Sequence, residues 1–303
     1  MKHFFAVLGA LWALHFSAGA VKAETIRVVA TLSTFADLVE KIGGEDVEVS
    51  FVAPPRFNPH FIEPRPGDVL KVRRADLFVH AGLDLEPWRY PLVDAAGKSE
   101  LRPGGQRELD LSQGVRLLEV PAQVPTRAAG DIHIYGNPHY WLIPDNVRVM
   151  AVAIAEKLSE VDPVHSEAYQ GRLRAFLDEL DRRVEKWRQD AQGIRGKEAV
   201  AYHNDLVYLA EFLGLRVAQY LEPKPGIPPT PRQIQFLEGY IAERGIGAIL
   251  QASFYPRGSS DSLARKTGAE VVLLCQNVGE RPECGDYFAL MDYNLSQLTS
   301  HFR

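Results

Sequence analysis

The chain has 303 residues and a formal charge of −5, a balance that argues against nucleic acid as a partner. Its length exceeds what one hydrophobic core ordinarily serves, so two compact units are expected. Cysteine is nearly absent, with Cys275 and Cys284 the only two.

The first 23 residues carry Lys2, an apolar stretch from Phe4 to Phe16 and the small-residue exit Val21-Lys22-Ala23. This is the pattern of a secretory signal peptide cleaved after Ala23. The apolar stretch is short for a membrane span, and no cysteine stands near the junction to take a lipid. A free periplasmic protein is therefore expected, made more acidic by the loss of Lys2 and Lys22. In that oxidising compartment Cys275 and Cys284 read as one disulfide closing a small loop, with a thiolate metal ligand at Cys275 as the competing reading.

The mature chain opens with the β-branched strand Ile26 to Ala30, then a helical spacing through Phe35, Leu38, Val39 and Ile42 that ends at Gly43-Gly44. Val47 to Ala53 is a second strand. Pro66-Gly67-Asp68 opens a short helix over Val69 to Arg74, and Leu77-Phe78-Val79 is a third strand. Such alternation implies a parallel sheet with right-handed crossovers and ligands at the carboxyl ends of its strands. The stretch from Pro121 to Gly136 lacks periodicity and reads as a surface loop. After Pro144, apolar residues at Val147, Met150, Ala151, Ile154, Leu158 and Val161 give a helix with one buried face. Asp162-Pro163 resets it, with Asp162 expected to cap a second helix of about 28 residues, near 42 Å long.

From Lys197 the alternation resumes, with strands at Ala199 to Tyr202, Arg216 to Ala218, Gly247 to Gln251 and Val271 to Leu274. Helices are expected near 205–213, 231–244 and 260–267. The fold class is α/β: two lobes, each a mainly parallel sheet flanked by helices, joined by one long spine helix. The expected divisions are a signal peptide over 1–23, an N-terminal lobe over 24–146, a helical linker over 147–196 and a C-terminal lobe over 197–303.

The tripeptide Asn-Pro-His occurs twice, at Asn58-Pro59-His60 and Asn137-Pro138-His139. Proline fixes its own φ and biases its predecessor toward extended backbone, so each copy presents a histidine from a stiffened loop. His203 follows the strand ending at Tyr202. Three imidazoles presented from loops suit zinc, whereas calcium and magnesium prefer oxygen. His80 lacks a stiffening proline and reads as structural, while His165 and His301 read as surface residues.

The ordered runs Val28-Val29-Ala30-Thr31, Pro59-His60-Phe61-Ile62-Glu63-Pro64, Ala75-Asp76-Leu77 and Gly82-Leu83-Asp84-Leu85-Glu86-Pro87-Trp88 resemble the zinc- and manganese-binding solute-binding proteins of ABC importers. Asn137 to Pro144, Tyr202-His203, Leu221 to Pro229 and Asp286 to Asn294 continue the resemblance along nearly the whole mature chain. It implies a metal in the cleft between two lobes, ligated by His60 and His139 from the first and His203 from the second. Where that family usually has a fourth, aspartate ligand, the sequence reads Cys275-Gln276-Asn277-Val278-Gly279-Glu280. Gln251 likewise stands where many members have glutamate.

With neither acid present, zinc is favoured over manganese, which prefers carboxylate and water oxygen. Candidates for the fourth position are His133, Gln276, water, or an acid such as Glu63, Asp131 or Glu222. Glu63 and Gln251 are also expected as outer groups that orient the imidazoles. The expected function is a monomeric periplasmic zinc carrier that serves an inner-membrane ABC permease, with a periplasmic metallochaperone as a further partner. The alternatives are the same fold carrying Mn²⁺ or Fe²⁺, a metal-dependent adhesin, or a zinc hydrolase built on three histidines; the last lacks a visible general base.

Overall fold

The computed structural model describes residues 25–122, 133–222, 224 and 226–302. The segment expected to be a signal peptide, the cleavage expected after Ala23, and Asp131 lie outside the described residues. Two four-stranded sheets form, and every strand pairing in both is parallel. The first has the order β2-β1-β3-β4, from β1 (Ile26–Leu32), β2 (Val47–Ala53), β3 (Leu77–His80) and β4 (Glu108–Asp110). The second has the order β6-β5-β7-β8, from β5 (Glu198–Ala201), β6 (Arg216–Tyr220), β7 (Ala248–Ala252) and β8 (Glu270–Leu274).

Around the first sheet lie α1 (Ser33–Gly43), α2 (Pro66–Arg74) and α3 (Arg89–Ala96). Proline at the first position of α2 has no amide to leave unpaired, and Asp68 returns to accept from the Arg65 amide at 2.9 Å. In the second lobe, α6 (Val207–Leu213), α7 (Pro231–Arg244) and α8 (Gly258–Thr267) fall close to the ranges expected from periodicity. Thr230 caps α7 by accepting from the Gln233 amide. Strand β4 and helix α9 (Tyr287–His301) were not expected, and both matter. The first completes the N-terminal sheet; the second brings the end of the chain back against α1, where the Tyr287 amide donates to Asp37 at 3.0 Å.

Between the sheets run α4 (Pro144–Val161) and α5 (Ser166–Asp190). The spine is 25 residues long, and a short 3-10 turn, Pro163–His165, precedes it. Asp162 does not cap the helix. Its carboxylate instead takes the Tyr169 hydroxyl at 2.7 Å and contacts His165 Nδ1 at 2.6 Å, so it pins the junction through side chains. His165 and His301 are each partly covered and paired with acids, Asp162 and Glu270, rather than free on the surface. Arg172 near the start of α5 reaches the Gly43 carbonyl and Asp46, while Arg183 and Trp187 near its end both bond Asp292 of α9. One helix is thus fastened to both lobes. Cys275 and Cys284 are joined as a disulfide, which overturns the thiolate-ligand reading of Cys275.

Candidate metal centre

Both Asn-Pro-His copies fold alike. The Asn58 side-chain oxygen accepts from the His60 amide at 3.0 Å, and Asn137 does the same for His139 at 3.1 Å. Asparagine at such a site makes a side-chain turn that mimics a backbone one, and the following proline holds it rigid. The Trp88 indole donates to the Pro59 carbonyl at 2.8 Å, and the Tyr140 hydroxyl to the Ala81 carbonyl at 2.6 Å, so each loop is tied down from outside.

These turns bring Nε2 of His60 and Nε2 of His139 to 3.3 Å of each other. Tetrahedral zinc, with Zn–N near 2.0–2.1 Å, separates neighbouring nitrogens by about 3.3 Å. His133 joins the pair, and candidate ligand atoms of His60, His133 and His139 all lie within 4.8 Å of one another. His203 faces them from the other lobe, its ring 5.8 Å from that of His60 and 6.0 Å from that of His139. Nε2 of His133 and Nδ1 of His139 are buried without a hydrogen-bond partner, a costly state for ring nitrogens that a cation would relieve at His133.

Carboxylates stand one step behind the imidazoles. Asp84 lies 2.7 Å from His133 Nδ1 and also accepts from the Ile134 amide at 3.0 Å. Glu222 lies 2.8 Å from His203 Nδ1, close but not well aligned as a hydrogen bond. In each case Nε2 is the ring nitrogen left for a metal. Asp84 follows Gly82 and Leu83, both at positive φ, 67° and 49°. A side chain at Gly82 would strike the Asp110 carboxylate, so only glycine fits the turn that delivers Asp84.

Burial, then repulsion from the neighbouring rings, holds His60 and His139 well below the usual imidazole range. Both are therefore neutral and ready to ligate. Burial alone would lower His203 as well, but Glu222 and the charge of Asp205 outweigh it and raise that ring.

The remaining sequence candidates lie elsewhere. The Gln276 amide turns to Asp205, and its backbone amide donates to Glu280 at 2.8 Å. Gln251 donates to the Tyr255 carbonyl at 2.9 Å and accepts from the Ser260 hydroxyl. Glu63 is exposed beside the groove formed by Phe57, Phe61 and Lys71. His80 is bonded on both ring nitrogens, to Glu108 and to the Gly82 amide. Asp84 and Asp205 escaped sequence reasoning. The signal for Asp84 was its place in the Gly82 to Trp88 run, whereas Asp205 stands only two residues from His203 with nothing local to mark it.

Two parallel-sheet lobes bridged by a single helix, with imidazoles from both converging on their boundary, define a two-lobed α/β binding protein with a histidine-rich metal cleft. The family profile described as zinc-uptake complex component A, periplasmic, matches residues 28–301, and the chain belongs to that family. The metal ABC transporter substrate-binding lipoprotein ScbA of Streptococcus cristatus is 26% identical over 282 residues, spanning 90% of this chain and 87% of its own. The manganese ABC transporter substrate-binding lipoprotein PsaA of Streptococcus pneumoniae serotype 4 is 25% identical over 284 residues, spanning 91% and 88%. A crystal structure of ZnuA superimposes with a TM-score of 0.78 at 24% identity, covering 92% of this chain and 100% of that one, a likeness of fold.

Proposed function

We propose that the protein is an exported carrier that captures one Zn²⁺ between its lobes and hands it to an inner-membrane ABC permease, with no bond made or broken. His60, His139 and His203 are the ligands, and His133, held by Asp84, supplies the fourth nitrogen. The observation that carries this reading is the 3.3 Å approach of the His60 and His139 Nε2 atoms, joined by His133 and faced by His203. The nearest acids, Asp84 and Glu222, contact the imidazoles instead of presenting themselves as ligands. Imidazole suits zinc, whereas manganese favours carboxylate and water oxygen.

Competition of Zn²⁺ and Mn²⁺ for the metal-free protein tests it. One Zn²⁺ per chain should bind, and His60→Ala, His139→Ala and His203→Ala should each weaken it by tenfold or more, on the order seen for loss of a metal-orienting partner or worse. Unchanged affinity in all three would falsify the assignment. Manganese is the second reading, favoured by the similarity to a manganese substrate-binding lipoprotein. A preference for Mn²⁺ in the same titration would establish it.

A further inference from the structure

Behind His203 lies a buried polar chain to which metal ligation assigns no role. The ring of Tyr255 packs against His203 with centroids 5.9 Å apart, and it stacks in turn on Tyr202 at 4.6 Å. Its hydroxyl lies within electrostatic range of the carboxylate of Asp205, which is only 1% exposed. The Gln276 side-chain amide donates to the same carboxylate. The backbone carbonyl of Gln276 faces the first lobe and accepts from the indole of Trp141 at 2.8 Å, two residues beyond His139. A run of interacting groups therefore leads from the loop of one ligand histidine to the ring of another.

Stability alone does not call for this arrangement. A buried carboxylate costs several kcal/mol of desolvation unless well bonded, and a well-packed apolar group of similar volume commonly does as well or better. What the chain supplies is orientation. Glu222 touches one edge of the His203 ring and leaves its plane free to turn about that contact, whereas Tyr255 packs against the ring at a tilt of 45° and so limits that turn.

We propose that Tyr255 and Asp205 are positioning residues for His203, and that Gln276 transmits the docking of the first lobe to that ring through Trp141. The proposal rests on the reading of His203 as a zinc ligand. Gln276 on this view is not a ligand. It must be neutral, because a carboxylate there would face the carboxylate of Asp205.

Zinc affinity, measured by competition with a chromophoric chelator, tests this in a double-mutant cycle. Tyr255→Phe keeps the ring and removes only the hydroxyl; Gln276→Ala removes the clamp. Each should weaken zinc binding about tenfold in the wild-type background, as loss of an outer partner of a metal ligand does. In the His203→Ala background each should change it by under about twofold, since the ring to be positioned is gone. In the His139→Ala background the full loss should persist. Equal losses with and without His203 would show an effect on the fold and overturn the proposal. So would wild-type affinity in Tyr255→Phe while His203→Ala is impaired, an outcome that leaves the zinc reading standing. Wild-type affinity in His203→Ala itself would remove the reading beneath it.

Discussion

At the scale of single residues, the site works by dividing labour between nitrogen and oxygen. Imidazoles face the cleft, and acids hold two of them from behind, Asp84 at His133 and Glu222 at His203, which orients those rings. His203 is the ring where this matters for pH. Its pKa is raised despite burial, by Glu222 and Asp205, so protons compete for it at higher pH than for His60 or His139, which burial keeps low. Metal affinity should be full above the raised pKa of His203 and fall as pH drops through it. Glu222→Gln removes the contact that raises this ring. The pH at which zinc affinity falls to half its own neutral-pH plateau should therefore move lower, while the plateau itself weakens about tenfold as the ring loses its anchor. Titration of chelator-detected zinc release against pH measures both, and an unmoved midpoint would separate Glu222 from His203. The three histidines proposed as ligands were picked out from the sequence because proline or a strand end marks them. Asp84 and Asp205 were not read as partners, and Glu222 only as a candidate for the fourth position, since all three sit in loops without local periodicity and acquire partners only through the fold.

At the scale of elements, β-branched strands and one-sided helices were readable from pattern, and the misses have physical causes. β4 is three residues long, Glu-Leu-Asp, too short to show alternation. α9 buries Tyr287, Phe288, Leu290, Met291, Asn294, Leu295 and Leu298, a set that shares one face of the helix but whose apolar stripe is broken at its centre by polar Asn294. The junction of α1 with α9 carries its own pH dependence. Asp37 accepts from the Tyr287 amide, yet burial dominates and lifts its carboxyl to about 6, against Lys41, which pulls it down. Between its unfolded value near 3.8 and about 6, the folded state holds more protons than the unfolded one. Stability must then fall as pH rises through that window. Asp37→Asn keeps an oxygen for the Tyr287 amide and removes the charge. Urea unfolding of the metal-free protein should find the variant more stable at pH 7 by up to about 3 kcal/mol, the two-unit shift taken at 1.36 kcal/mol per unit. The two proteins should converge near pH 4. A wild-type stability that does not decline relative to Asp37→Asn between pH 4 and 6 would contradict the buried placement of Asp37.

At the scale of the whole molecule, the lobes are docked rather than hinged. The principal apolar core runs through both, from Val28 and Phe35 across Trp141 and Trp187 to Tyr287 and Leu298. Polar contacts cross the boundary on both sides of the metal cleft. Ser33 and Thr34 bond the backbone of Val278, Lys41 pairs with Asp286, and Arg56 donates to the Glu280 carbonyl. On the opposite side Asn137 donates to the Asn204 carbonyl at 2.8 Å, directly beside His203, and the Tyr208 hydroxyl donates to the Asn137 carbonyl. A single helix, α5, spans both lobes and is bonded at each end, which leaves no flexible double crossover about which to open. Wide opening would expose core apolar area at about 25 cal/mol per Å², so even a few hundred Å² would cost several kcal/mol. Capture should instead involve local adjustment of the histidine loops. Small-angle scattering from metal-free and zinc-loaded protein should give superimposable profiles, while zinc at a hundred times its dissociation constant stabilises the fold by about 2.7 kcal/mol. A marked contraction on zinc binding would show a hinge that the shared core forbids. Stabilisation without contraction is the combination a rigid two-lobed carrier requires, and His203→Ala should diminish that stabilisation while leaving the scattering profile as it was.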